Sequence, residues 1–305
     1  MLQSRDELHF HAMLRSKLKT NPNIAALIDS ADAIATTAPL NAAELYAAAM
    51  QADPANITAH NALERLKAPQ AYSRWMGVNC VIDPRDDIFH FFARHDIARN
   101  PIREYLSDGW RTLSELMVIL ERLNKPLLNL ESALEFAAGF GRFTRHLTRA
   151  LPGRVTCSDV LPGSIDFLRE QFGVKTMLSA HQPDVVSFPE HYDLVFVLSM
   201  FTHLPPAMWQ PWLRTLGSAV AAGGVLIFSV ANETCARELG VIFPGDGTHF
   251  IASSESPSLD TEVYGTTYTT RRFVEEQVSS AFGRPLAQYF PRAFWGGQDA
   301  VTVRF

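Results

Sequence analysis

The chain is poor in the residues that build covalent or metallic frameworks. Its three cysteines, Cys80, Cys157 and Cys235, are odd in number and far apart in 305 residues. That usage excludes a disulfide scaffold and a metal cluster, and it points to reduced thiols in a cytoplasmic setting. Histidine pairs suited to a metal are lacking as well. His90 and His95 are five apart, on different sides of a helix, and His9 and His11 read as surface residues near a chain end. No apolar run approaches the roughly 18 residues of a membrane span. The opening Met1-Leu2-Gln3-Ser4-Arg5-Asp6-Glu7 has neither the basic start nor the apolar stretch of a signal peptide. Positive charge is short too, with 27 Lys and Arg against 32 Asp and Glu, a net charge of −5. That balance disfavours an extended nucleic-acid interface, which needs a basic stripe. What remains, 47% hydrophobic and 19% charged residues, suits a globular protein with a substantial core, organised in two parts.

The most informative stretch is Ala133-Leu134-Glu135-Phe136-Ala137-Ala138-Gly139-Phe140-Gly141-Arg142-Phe143-Thr144-Arg145-His146-Leu147. A short apolar strand ends in a carboxylate, turns through two glycines and runs into an amphipathic helix. Such a turn sets backbone N–H groups beside a ligand, and the glycines allow the close approach a Cβ would obstruct. Thr144 stands where the dinucleotide fingerprint G-x-G-x-x-G has its third glycine. The loop before the helix also has no basic residue to hold a pyrophosphate. Glu135 would repel phosphate but suits the cationic amino group of a methionine tail. A second β-type run, Arg154-Val155-Thr156-Cys157-Ser158-Asp159-Val160, ends in an acid twenty residues after Gly139. An acid there accepts hydrogen bonds from both ribose hydroxyls of a nucleoside ligand. The other reading of Asp159 is an N-cap for a helix over 163–172.

From Leu134 to Phe305 the chain resembles the class I S-adenosylmethionine-dependent methyltransferases. The resemblance rests on E-x-A-x-G-x-G-R at 135–142, on Asp159, and on Tyr192-Asp193-Leu194-Val195-Phe196-Val197-Leu198-Ser199. Met200-Phe201-Thr202-His203-Leu204-Pro205 and Ala222-Gly223-Gly224-Val225-Leu226-Ile227-Phe228-Ser229 follow in the family's order. Glu135 replaces the family's usual aspartate and Ala137 its first glycine. The resemblance implies S-adenosyl-L-methionine as cofactor and S-adenosyl-L-homocysteine as product. It places Glu135, Ala137, Gly139, Gly141, Arg142, Asp159, Val160, Ser179 and Ser199 at the cofactor. No acid follows the third strand where the family often has one for adenine, so Ser179 or a backbone carbonyl takes that place.

The implied fold is α/β: a Rossmann-like, seven-stranded methyltransferase sheet with its last strand antiparallel, preceded by an all-helical region. The domains are 1–128, a helical cap or interaction region, and 129–305, the catalytic domain. Strands are expected near 132–137, 154–159, 174–178, 192–198, 223–229, 285–291 and 298–304. Helices fall near 141–150, 163–172, 206–221 and 270–281. Residues 293–299 are too few for a crossover helix, so the last two strands form a hairpin that dinucleotide dehydrogenases lack. In the helical region the spacing of Tyr46, Ala49, Asp53-Pro54, Asn56 and Ala59 weakly resembles one tetratricopeptide repeat, beside the plainer reading of a helical hairpin. Further helices are expected over Asp86–His95 and Pro101–Asn124. This region offers a surface for a homodimer or a protein partner.

Methyl transfer from a sulfonium needs alignment in a dry pocket, and a hydroxyl acceptor also benefits from a base near neutral pKa. His203, just past the fourth strand, is the candidate base, against a structural reading as the cap of the helix at Pro205. Tyr72 and Trp75, with Met76, are lid candidates by the resemblance. Tyr264 and His249 lie in a glycine- and serine-rich insertion over 231–270, in which 264–268 reads as a turn closing on the acceptor. His203, Tyr72, Trp75 and Tyr264 are thus the expected acceptor-binding residues, and no metal site is expected. The expected activity is methyl transfer to a small-molecule or glycan-like acceptor at oxygen, without nucleic acid or membrane. The alternatives are a catalytically inactive scaffold of the same fold with a helical interaction region, and a nicotinamide-dependent dehydrogenase.

Overall fold

The structure, a computed structural model, describes residues 23–94, 99–253, 256 and 258–305. His9, His11 and His95, the N-terminal stretch and part of the serine-rich segment lie outside the described residues. The chain divides into two compact units between Leu106 and Ser107.

In the first unit, α1 (Ile24–Ile34), α2 (Pro39–Ala52) and α3 (Ile57–Arg65) pack through a core rich in alanine. Each start has a local cause. Asn23 and Asn56 cap α1 and α3 by accepting the N–H groups of Ala26 (3.3 Å) and Ala59 (2.9 Å), and Pro39 sits in the first turn of α2. The expected hairpin is there, with Ala59 and Leu63 buried, but the tetratricopeptide resemblance is not confirmed. After α3 come only the four-residue α4 (Ser73–Met76) and an extended segment, not a second hairpin. Asn61 holds that segment as a strand would, donating to the Ile82 carbonyl (2.7 Å) and accepting its N–H (3.0 Å). A repeat face covered by irregular chain cannot stack on a further repeat. Helix α5 spans Asp87–Arg94, and α6, Pro101–Arg122, straddles the division, whereas the sequence reading put the join near 128.

The second unit is built on a seven-stranded sheet. Its strands are β1 (Ala133–Phe136), β2 (Val155–Asp159), β3 (Lys175–Leu178), β4 (Tyr192–Val197), β5 (Val220–Val230), β8 (Gln288–Phe294) and β9 (Gln298–Arg304). The order is β3-β2-β1-β4-β5-β9-β8, with only β9 antiparallel to its neighbours. One face packs against α6, α7 (Thr144–Ala150) and α8 (Ser164–Phe172), the other against α9 (Trp209–Ser218) and α11 (Arg271–Phe282). The inner strands are buried on both faces, as a parallel sheet between helical layers requires.

Three differences from the expected boundaries have physical causes. Strand β5 begins at Val220 instead of 223, because a register shift against β4 lets the 220–224 stretch pair early. There Gly224 packs where a Cβ would lie 2.9 Å from the Tyr192 carbonyl. Gly283 ends α11 in the left-handed conformation and Pro285 follows, so β8 starts at Gln288. The glycine turn consumes residues 141–143, and α7 starts at Thr144. The 231–270 insertion is also more regular than its composition suggests. It holds α10 (Glu233–Glu238) and a two-stranded ribbon, β6 (Thr248–Ile251) antiparallel to β7 (Thr266–Thr269), so the expected turn at 264–268 leads directly into a strand.

Candidate active site

Parallel pairing of β1 with β2 sets Phe136 beside Ser158 and brings the two chain reversals together. Ala137, Gly139 and Gly141 all have positive φ (62°, 56° and 81°), so the position of the family's first glycine keeps its left-handed backbone although it is alanine. Asp159 ties this turn. Its Oδ2 accepts the Gly139 N–H at 2.6 Å and its Oδ1 the Leu161 N–H at 2.8 Å, while its carbonyl accepts the Ser179 N–H at 2.9 Å. It is not a helix cap, since Gly163 precedes α8 without a side-chain cap. The glycines differ in what surrounds them. A Cβ on Gly141 would lie 2.4 Å from the Phe172 ring and 3.0 Å from Leu168, whereas one on Gly139 would meet nothing within 4 Å. The turn is therefore packed on one side and open on the other, a cradle with room for a ligand against the backbone.

Glu135 points into the layer beneath the turn, where its Oε2 accepts the Thr144 hydroxyl at 2.7 Å and the Cys157 thiol lies 3.8 Å away. Burial in this apolar layer pushes its carboxyl up to about 8, so the group is largely protonated at neutral pH. Burial likewise pushes the Cys157 thiol well up, which makes it an inert core residue. Arg142, directly after the turn, pairs with Asp108 on α6, and its guanidinium lies 4.9 Å from the centre of the Trp295 ring. Helix α6 reaches the turn because residue 109 is glycine. A Cβ there would sit 2.0 Å from the Arg142 carbonyl oxygen.

At the tip of β4, Ser199 takes a left-handed backbone (φ 59°) and is held from the neighbouring strands. Its N–H donates to the Ser229 hydroxyl (2.8 Å) and its own hydroxyl accepts the Gln298 amide (2.9 Å). His203 follows, 6% exposed, with Nδ1 2.6 Å from the Gly265 carbonyl. A carbonyl only accepts, so Nδ1 carries the hydrogen and Nε2 is the basic nitrogen of the neutral ring. The Tyr264 ring stacks on the imidazole, centroids 4.4 Å apart and planes 18° apart. The insertion is stitched to this segment: Gly265 N–H donates to the His203 carbonyl (2.9 Å) and Thr267 N–H to the Thr202 carbonyl (2.7 Å).

The structure thus gathers Glu135, Ala137, Gly139, Gly141, Arg142 and Asp159 around one turn, and joins His203 with Tyr264. His203 does not cap the following helix. Val160 and Ser179 are half-buried at the tips of β2 and β3. His249 lies on β6 opposite Tyr268. Tyr72 and Trp75 belong to the first unit, where Tyr72 packs edge-on to His60 and against Trp75 (ring centroids 5.6 and 5.4 Å), and Trp75 is 66% exposed. Asp108, Ser229, Trp295 and Gln298 escaped the sequence reading. A tryptophan in a Trp-Gly-Gly hairpin turn was the one signal available, since that turn chemistry asks for Asn or Gly. Among the described residues, no three His, Cys, Asp or Glu side chains gather as metal ligands, and no helix is long and apolar enough to cross a membrane.

Residues 133–224 match the family described as "Methyltransferase domain". No significant match is found among curated proteins. Similar solved structures include magnesium protoporphyrin IX methyltransferase from Synechocystis PCC 6803 with bound S-adenosylhomocysteine. That pair is 14% identical, covering 76% of this chain and 96% of that one, with a TM-score of 0.48. The N-methyltransferase NodS from Bradyrhizobium japonicum WM9 is also 14% identical, over 73% of this chain and 98% of that one, TM-score 0.45. An S-adenosylmethionine-dependent methyltransferase from Clostridium acetobutylicum ATCC 824 is 13% identical, over 63% and 90%, TM-score 0.45. The family match covers the glycine turn, Asp159 and the tip of β4, and the strands that carry them stand in a seven-stranded sheet with one antiparallel strand. Residues 133–224 thus match a methyltransferase domain model and stand in the seven-stranded sheet with one antiparallel strand that carries the turn.

Proposed function

We propose that the protein is an S-adenosyl-L-methionine-dependent methyltransferase that acts on a hydroxyl of a small-molecule or glycan-like acceptor. The cofactor assignment is supported by the open cradle at Gly139 and by the two carboxyl groups that frame it, Glu135 behind the turn and Asp159 across it. Ala137, Gly139 and Gly141 would line the cofactor with backbone, and Asp159, which stands across the turn, would accept ribose hydroxyls. Glu135, buried beneath the turn with its Oε2 on the Thr144 hydroxyl, would support the turn from behind instead of meeting the cationic amino group. When bound, the cofactor supplies an electrophilic methyl group on a sulfonium. Arg142, Val160, Ser179 and Ser199 complete the proposed cofactor shell, and Tyr72 and Trp75 are proposed acceptor residues.

The observation that carries the choice of oxygen is the Nδ1 contact of His203 to the Gly265 carbonyl. It fixes the tautomer with Nε2 basic, so that Nε2 takes the proton an acceptor hydroxyl loses as it attacks. Tyr264, stacked on the ring, holds its plane, and the imidazole itself is buried. Calorimetric titration with S-adenosylmethionine, S-adenosylhomocysteine and NADH tests the reading. Micromolar binding of the two adenosyl compounds and none of NADH is expected; binding of NADH alone overturns it.

A further inference from the structure

We propose that Trp295 is a positioning residue for the cofactor turn and acts on it through Arg142. The inference rests on the reading of the 137–141 turn as the cofactor site. Strand β9 runs antiparallel to β5, with Asp299 opposite Val230, so the β8–β9 turn lies at the carboxyl ends of the parallel strands, beside the glycine turn. Gly297 N–H closes this turn on the Phe294 carbonyl at 3.0 Å, and both central residues, Trp295 (φ 56°) and Gly296 (φ 70°), are left-handed. Turns of this geometry favour asparagine, aspartate or glycine, and a bulky side chain at positive φ is an outlier. The hairpin itself would close better with glycine at 295. The tryptophan contributes a ring that the rest of the structure aims.

That aim is over-determined. The Trp295 N–H donates to the Glu115 carboxylate (3.1 and 3.2 Å), and its indole N–H to the Thr112 hydroxyl (3.1 Å). Arg111 in turn holds Glu115 at 2.9 Å. All three partners stand on α6, the helix whose Gly109 abuts the Arg142 carbonyl and whose Asp108 pairs with the Arg142 guanidinium. The ring face then meets that same guanidinium at 4.9 Å. The residue directly after Gly141 is thereby gripped at its main chain, at its charge and at its planar face. A strained residue that is held for the sake of one contact marks that contact as functional, and here the contact orients the turn.

The test compares wild type, Trp295→Gly, Arg142→Ala and the double variant by calorimetric titration with S-adenosylhomocysteine, alongside thermal unfolding. Trp295→Gly is expected to weaken binding about ten-fold, the scale of a partly desolvated cation–π contact, while thermal unfolding, which also registers the packing the ring loses against the core, checks that the variant is folded at the titration temperature. The double variant should bind no more weakly than Arg142→Ala, since Trp295 acts through Arg142. Unchanged affinity in Trp295→Gly, or losses that multiply in the double variant, overturns the proposal. Should Trp295→Gly fail to fold, Trp295→Leu removes the aromatic face while keeping bulk, and wild-type affinity in that variant overturns it equally. Absence of binding by the wild type would instead refute the cofactor reading on which the inference stands.

Discussion

The imidazole of His203 lies nearly flat on the phenol ring of Tyr264, with 4.4 Å between centroids and 18° between planes. The residue after Tyr264, Gly265, accepts the imidazole Nδ1–H and donates its own N–H to the His203 carbonyl. A histidine just past β4 thus has its ring plane and tautomer set by two consecutive residues of the insertion. His203→Ala should lower turnover by roughly 10²–10⁴-fold, the usual scale for a lost general base. Its cofactor affinity should stay close to that of wild type, because the ring is held by Tyr264 and Gly265 of the insertion. Turnover retained in that variant would make the histidine structural.

Asp159 joins the two chain reversals by accepting the Gly139 and Leu161 N–H groups. Asp159→Ala should weaken cofactor binding by about 1–3 kcal/mol, as the turn loses its tether and the ribose its acceptor. Titration calorimetry reads this directly, and an unchanged affinity would remove Asp159 from the site.

Gly139 and Gly141 make a paired test of packing against ligand space. Gly141→Ala should destabilise the fold by about 2–4 kcal/mol, since the new methyl group would collide with Phe172 and Leu168 at a left-handed φ. Gly139→Ala meets open space and should cost only about 1–2 kcal/mol of backbone strain. Its methyl group would stand where the cofactor approaches, so binding should fall further than stability does. Thermal unfolding with and without S-adenosylhomocysteine separates the two effects.

The buried Glu135 carboxyl predicts a pH dependence. Its folded-state value is pushed up to about 8 by burial, above the 4.5 of a free side chain. Between these values the folded protein binds a proton that the unfolded chain has released. Stability of the ligand-free protein should therefore fall as pH rises from about 4.5 to 8. Glu135→Gln removes the titration, and its unfolding midpoint should be flatter across that window. An identical slope in both proteins would place the titrating group elsewhere.

The glycine turn and its flanking acids were legible because their geometry is local. One strand, one turn and the next parallel strand bring Glu135, Gly139 and Asp159 together, and spacing alone specifies that arrangement once the strands pair in register. The Ala-for-Gly exchange at 137 hid a left-handed residue that only the backbone reveals. The contacts of Trp295 with Thr112 and of Gln298 with Ser199 join residues 183 and 99 apart in sequence, and no periodicity encodes such pairs. Strands β6 and β7 went unseen because each is four residues long and residues 252–265 separate them where a hairpin is marked by a tight turn. The tetratricopeptide resemblance stayed unconfirmed for a related reason: one helical hairpin has the same local pattern whether or not another stacks on it.

The amide hydrogens of Gly265, Thr267 and Thr269 are given to carbonyls of His203, Thr202 and Ala231, all at the tips of β4 and β5. In hydrogen-exchange terms these surface-insertion amides are shielded by the central sheet and should share its slow opening, not the fast opening of a loop. The insertion and the strand tips form one cooperative unit, so a displacement of β7 also moves the backbone of His203.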